Sequence, residues 1–261
     1  MKFNNISYGG SKIYYRSIGK GRPVVFIHGF AEDGDIWKNQ IELLKDSCHL
    51  IIPDLPGSGK SQMINDMSIE GMAATINAIL DEEQIEQCTM FGHSMGGYIT
   101  LAFAEKNEQR LTSFGLIHST AYADSEEKKA NRLKSIEFVK KNGAFEFLKA
   151  VIIDLFTETW YANNSNFVNE LIEKSKGFAD EAIIAYYEAM INRADKTYIL
   201  KNSNKPVLFI IGQHDKAVPF THSLQQCYLP SQSTVVILRN SAHMGMWEEA
   251  EKLNNALLDF C

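Results

Sequence analysis

Long apolar runs are missing from this chain. No stretch is long enough to span a bilayer, and Met1-Lys2-Phe3-Asn4-Asn5 opens without the apolar core of a secretory signal, so the expected location is the cytoplasm, with no membrane partner. An excess of basic charge is missing as well. The 26 Lys and Arg against 32 Asp and Glu leave a net charge of -6 with both signs mixed along the chain, which argues against a polybasic membrane patch and against a nucleic-acid partner. Cysteine is scarce: Cys48, Cys88, Cys227 and Cys261 show no C-x-x-C spacing, and a chain of 261 residues needs no disulfide to hold its core. Metal-ligand spacing is absent too. The seven histidines include no H-E-x-x-H, and the nearest grouping is His214, Asp215 and His222, so neither a metal nor a cofactor is expected.

What is present is a core-forming composition, 45% hydrophobic and 22% charged, suited to one globular enzyme-sized domain with an insertion. The most informative stretch is Gly92-His93-Ser94-Met95-Gly96, which reads Gly-x-Ser-x-Gly where a strand-like run at 89–91 meets a helix-like one at 95–106. A serine presented on so sharp a turn needs small neighbours two positions before and two after, and Gly92 and Gly96 supply them. Gly97 adds room. The following helix aims its unpaired amides and positive dipole end at the same point, which suits an oxygen that becomes negative during reaction. A glycine-rich turn without chemistry would satisfy the same five letters, so the rest of the machinery has to be sought.

An acyl-transfer serine needs a base, an acid to orient that base, and donors for the oxyanion. Asp215 follows the apolar strand 207–211 and Gly212. His243 follows a second strand-like run at 234–238 and precedes a helix-like segment at 247–260. The order Ser94, Asp215, His243 is that of one fold family and differs from the chymotrypsin and subtilisin orders. His28-Gly29-Phe30 comes directly after the strand-like 23–27. Gly29 lets the chain turn back so that the amides of Phe30 and Met95 can serve as oxyanion donors, while His28 ties the loop down through a ring nitrogen. No cysteine occupies the elbow, which disfavours a cysteine nucleophile.

Periodicity supplies the frame. Residues 3–8 and 12–17 flank Gly9-Gly10-Ser11 as a hairpin, and strand-like runs at 24–27, 49–52, 89–91 and 112–118 alternate with helix-like segments at 36–44, 68–83 and 95–106. That alternation predicts a mostly parallel central sheet with helices on both faces and loops gathered at the strands' carboxyl ends. Between 120 and 204 it stops. Helical patterns at 132–141, 144–155, 166–176 and 180–193 predict an all-helical insertion, rich in residues such as Phe147, Trp160 and Tyr187 that divide between core and pocket.

Five motifs together resemble the α/β-hydrolase superfamily over essentially the whole chain: His28-Gly29-Phe30, Asp54-Leu-Pro-Gly57-Ser-Gly59-Lys-Ser61, Gly92-His-Ser94-Met-Gly96-Gly97, Gly212-Gln-His-Asp215 with Val218-Pro219, and Ser241-Ala-His243. The resemblance implies a core of 1–119 and 205–261, a helical cap over 120–204, and Ser94, Asp215 and His243 as the catalytic triad. It implies a serine esterase acting on a carboxylic ester or a thioester, and the nearly balanced charges of the apolar-rich 120–204 insertion lead to the expectation of a small, weakly charged acyl compound. Carbon-carbon bond hydrolases of ring-cleavage products are the neighbouring alternative. Tyr98 stands where a menaquinone-pathway relative carries arginine, so that activity does not carry over.

Two decoys stand beside this reading. Gly57-Ser-Gly59-Lys60-Ser61 resembles a phosphate-binding loop of a nucleotide-binding protein, but that motif needs glycine where Asp54 stands, and a carboxylate there opposes a phosphate. Asp124 lies near the end of the sixth strand, where some relatives place the triad acid. A fold kept for binding alone would be expected to lack a triad member, and none is lacking.

Overall fold

The structure, a computed structural model, describes residues 2–261. Strands β1 (Asn4–Tyr8) and β2 (Ser11–Ile18) form the expected hairpin. Gly9 and Gly10 turn it with φ of 57° and 88°, the left-handed pair that a two-residue hairpin loop requires. Then β3 (Arg22–Ile27), α1 (Lys38–Leu44), β4 (Cys48–Pro53), α2 (Ile69–Glu82), β5 (Cys88–His93), α3 (Met95–Asn107) and β6 (Leu111–Ile117) alternate. Six helices intervene: α4 (Glu126–Asn142), α5 (Ala144–Asp154), α6 (Glu158–Asn163), α7 (Ser165–Lys174), α8 (Asp180–Asn192) and α9 (Thr197–Asn202). The sheet resumes with β7 (Val207–Gly212), α10 (Phe220–Gln226) and β8 (Ser233–Leu238), and the chain closes with α11 (Gly245–Glu248) and α12 (Ala250–Phe260).

The eight strands lie in the order β1-β2-β4-β3-β5-β6-β7-β8, antiparallel at β1/β2 and β2/β4 and parallel elsewhere. Strands β5 and β7 are buried at every position, because helices cover both faces; this is why they read as continuous apolar runs with no alternation. Phe26 packs against Trp37 in a tilted arrangement and stacks on Phe91, with ring centroids 4.9 and 5.4 Å apart, and burial of each such side chain contributes about 1.5–3 kcal/mol. Because the central strands run parallel, the segments after β3, β5, β6, β7 and β8 all emerge at one edge of the sheet. Phe30, Ser94, His118, Asp215 and His243 are carried there.

Two boundaries depart from the periodic pattern. Helix α4 starts six residues before the expected 132, because Ser125 caps it by accepting the Lys128 N–H while Glu126 and Glu127 face the dipole's positive end. That first turn is polar all round and has no apolar period to detect. The single helix expected at 247–260 is broken at Glu249 (φ -132°, ψ 51°). There the Glu248 carboxylate accepts backbone N–H groups of Thr157, Ala242 and Met244, and Glu249 accepts that of Asn240, so both side chains are turned back to brace the His243 loop. Within the helical insertion α4 lies along α8 and α5 along α7. Among the described residues no helix is long and apolar enough to cross a membrane.

Candidate active site

Ser94 sits at the junction of β5 and α3 with φ 51° and ψ -116°, a strained conformation for a residue with a side chain. It is held there. Its N–H donates to Ile117 O at 2.9 Å, and its carbonyl accepts from Ser119 Oγ at 2.7 Å and from Gly97 N at 2.9 Å. The glycines around it are sterically required: a Cβ at Gly92 would lie 2.2 Å from Gly96 O, and one at Gly96 would lie 2.4 Å from Ile27 O. Met95 is the first residue of α3, so its N–H has no acceptor one turn back. Phe30 enters the same cavity from the loop after β3, its ring against Tyr187 at 4.5 Å.

That loop is tied at several points. His28 accepts the Leu55 N–H at Nε2 (2.9 Å) and donates from Nδ1 to Gly29 O (2.9 Å), and burial holds its pKa down, so it is a neutral ring with both nitrogens in use. A side chain at Gly29 would crowd Glu32, His93 and Ser94. In the adjoining 54–61 loop the Asp54 carboxylate accepts from Gly34 N and Lys60 N at 3.1 Å each, and a Cβ at Gly59 would lie 2.3 Å from it. The interior of that loop is filled by a carboxylate, where a phosphate-binding loop needs room for an anion.

Asp215 and His243 meet at 2.8 Å, Oδ2 to Nδ1. The other carboxylate oxygen accepts the N–H groups of Ala217 and Val218, both at 2.9 Å, so the acid is fixed in position. Burial resists its ionisation, but the attraction of His243 and the hydrogen bonds from His118 and His243 hold its pKa well below the usual carboxylate range. Asp215 therefore stays ionised and fixes His243 with Nδ1–H toward the carboxylate. Asp124 does not reach this pair. It is buried between Arg132 Nε (2.6 Å) and Arg193 Nη2 (2.9 Å).

Three residues that sequence reasoning missed complete the site. His118, at φ 49° after β6, donates from Nδ1 to Asp215 Oδ2 (3.2 Å) and accepts the Gly245 N–H at Nε2 (3.3 Å); burial pushes its pKa down to about 4, so it is neutral. His93 and Glu32 form a second buried pair, Nδ1 to Oε2 at 2.9 Å, and His93 Nε2 lies 3.0 Å from His243 O. A carboxylate and a carbonyl are both acceptors, so His93 carries protons on both nitrogens. Burial opposes charging either group, yet their attraction and hydrogen bond raise the His93 pKa and lower that of Glu32. Glu32 Oε2 also accepts the Gly29 N–H at 2.5 Å. The pair thus joins the loops that carry Phe30 and His243 beneath the nucleophile turn. Only a three-dimensional neighbourhood reveals this, since 61 residues separate Glu32 from His93.

His118, Asp215 and His243 are close enough to invite a metal reading, whereas His214 and His222, the histidines nearest Asp215 in sequence, are exposed. The donor chemistry fits hydrogen bonding instead. Each ring gives its Nδ1–H to the shared oxygen, and His118 Nε2 is occupied by a backbone N–H, which leaves no convergent lone pairs for an ion. Above Ser94, Phe30 and His243 lies a cavity of about 330 Å³, roofed by residues of α4, α5, α7 and α8. A larger hollow of about 580 Å³ shares Asp33, Asp35, Lys174 and Phe178 with it but contains none of Ser94, Asp215 or His243.

Comparison with known proteins agrees with this architecture. Residues 22–135 match the family described as α/β hydrolase fold. The structure superposes on a thermophilic esterase from Thermogutta terrifontis with a TM-score of 0.93 at 28% identity, covering 100% of this chain and 98% of that one. In sequence the chain is 28% identical over 249 residues to the dihydrolipoyllysine-residue acetyltransferase component of an acetoin cleaving system from Cupriavidus necator, matching 94% of this chain. It spans 64% of that relative's length. It is also 22% identical over 263 residues to a 2-hydroxy-6-oxo-6-phenylhexa-2,4-dienoate hydrolase from Comamonas testosteroni, covering 95% of this chain and 90% of the relative.

Proposed function

Given that the chain belongs to the α/β-hydrolase superfamily, we propose that it is a serine hydrolase that cleaves a small carboxylic ester or thioester through an acyl-enzyme on Ser94. The observation that carries this reading is the strained Ser94 sharing one cavity with His243, whose ring is fixed by a buried, ionised Asp215. His243 takes the Ser94 proton as the oxygen attacks the carbonyl carbon. The carbonyl oxygen becomes an anion between the N–H groups of Phe30 and Met95. As the carbonyl reforms, the alcohol or thiol leaves with the proton from His243; water then adds by the same route, releasing the acid and restoring Ser94. Asp215 remains ionised and stabilises the imidazolium.

In this reading residues 120–204 act as a cap over a core of 1–119 and 205–261, the location is the cytoplasm, and neither nucleic acid nor membrane is a partner. The esterase likeness, at 28% identity over the full length, favours ester over carbon-carbon bond cleavage. The test is turnover of short p-nitrophenyl esters by the wild type and by Ser94→Ala. Loss of several orders of magnitude with unchanged circular dichroism supports the reading. Equal rates for the two proteins would overturn it.

A further inference from the structure

The cavity over Ser94 is largely apolar, but its charges are unevenly placed. Glu32, Asp33, Asp35 and Lys174 line one side, and each has an opposite charge close by: Glu32 faces His93, while Lys174 bridges Asp33 (2.8 Å) and Asp35 (2.5 Å), and Asp35 also meets Arg16 (2.6 Å). The other charged residues in the lining are Lys128 and Arg132, both on α4. They share a single acid, Asp124, with a third cation. Arg132 Nε (2.6 Å) and Arg193 Nη2 (2.9 Å) use its two oxygens, Lys128 Nζ stands 4.0 Å away, and Asp195 near Arg193 is exposed to solvent. Lys128 and Arg132 on this wall thus share one buried carboxylate that Arg193, outside the lining, also uses, which leaves the charge of the wall incompletely compensated.

Arg132 keeps donors in reserve. Among the described residues Arg132 uses only Nε in hydrogen bonds to protein, so both Nη groups are open at the cavity wall, and the guanidinium is steadied 5.4 Å above the Tyr187 ring. Lys128 Nζ donates to Ala217 O at 3.0 Å, in the segment whose N–H groups hold Asp215. The cationic wall is therefore built onto the loop that carries Asp215. Arg132, with its side chain only 13% exposed, is the less hydrated of the two, and a cation so placed without full compensation is costly unless an anion joins it.

We infer that the substrate is a small ester carrying a free carboxylate, a half-ester of a dicarboxylic acid or a compound of equal charge and length, held by Arg132 and Lys128 while Ser94 attacks its ester carbonyl. This rests on the serine-hydrolase reading and narrows it. A planar guanidinium fork and an ammonium group match a carboxylate, and a charge-assisted contact of this kind supports tenfold or greater discrimination over an uncharged analogue.

The test compares monoethyl adipate with ethyl hexanoate, followed by pH-stat, in the wild type, Arg132→Gln and Lys128→Gln. The expected result is a higher kcat/KM for monoethyl adipate in the wild type, with the ratio of the two esters falling tenfold or more in Arg132→Gln and less steeply in Lys128→Gln. Should Arg132→Gln fail to fold after losing its Asp124 contact, Lys128→Gln carries the comparison. Calorimetric binding of monoethyl adipate to Ser94→Ala, with and without Arg132→Gln, gives a readout free of turnover. Hydrolysis of ethyl hexanoate with no preference for the half-ester, or a ratio unmoved by the variants, overturns this inference and leaves the hydrolase reading standing. Absence of turnover of both esters, together with no binding, overturns both.

Discussion

Replacing Glu32 with glutamine tests the buried pair beneath the nucleophile. Glu32 Oε2 receives two N–H groups, from Gly29 (2.5 Å) and from His93 Nδ1 (2.9 Å), while His93 Nε2 must donate to His243 O (3.0 Å). A glutamine cannot serve all three. With its oxygen in that place, His93 must stay charged without a counter-ion or leave Nε2 unprotonated against a carbonyl. With its nitrogen there, a donor faces the Gly29 N–H. Either arrangement costs one buried hydrogen bond or an unpaired charge, about 1–3 kcal/mol for the less costly choice. For a chain of this size that is a fall in melting temperature of about 2–4 °C per kcal/mol. The pH dependence has a definite shape. Glu32 is lowered from 4.5, so its contribution is present above that value and is lost as pH falls through its folded pKa. His93 is raised from 6.5, so its contribution is complete below that value and is lost as pH rises through its folded pKa. The stability difference between wild type and Glu32→Gln, measured by urea unfolding, should therefore be greatest between pH 4.5 and 6.5. A difference independent of pH, or no difference at all, would refute the charged-pair assignment.

Asp215→Asn should reduce kcat by about 10⁴-fold through the wrong His243 tautomer. Asp124→Asn, which touches Arg132 and Arg193 and not His243, should spare ethyl hexanoate hydrolysis relative to Asp215→Asn and lower stability instead; reversed effects in the rate assay would move the acid to the segment after β6. Gly96→Ala should yield little soluble protein, since its Cβ would lie 2.4 and 2.6 Å from the carbonyl oxygens of Ile27 and His28, and normal expression with normal melting would contradict that geometry. The cavity of about 330 Å³ is at the small end for ligand sites. Activity on p-nitrophenyl esters should accordingly peak at acyl chains of about two to six carbons and fall tenfold or more at long ones, whereas a flat profile out to palmitoyl would mean that the helical roof opens.

Most of the architecture was legible because its signals are local. Buried parallel strands read as apolar runs between loops, and Gly9-Gly10 announces a hairpin. The elbow was legible for the same reason, since its steric demands fall within five residues. What escaped depends on distance in sequence or on polarity without period. The first turn of α4 is polar throughout, α6 and α9 are six residues each and too short to show an apolar face, and the last helix is interrupted at Glu249, where the Glu248 and Glu249 carboxylates reach back to the segment before His243. His118 and the His93–Glu32 pair are ordinary letters at strand ends and in a loop. Their partners lie 97 and 61 residues away, and no local rule connects them.

The measurement that bears most directly on the central claim is mass spectrometry of the intact and digested protein after treatment with a serine-directed phosphonate. One adduct per chain, on the peptide carrying Ser94, with ester hydrolysis lost in proportion to labelling, is the predicted result. Hydrolysis that persists in the fully labelled protein, or an adduct on another residue with Ser94 unmodified, would contradict the account.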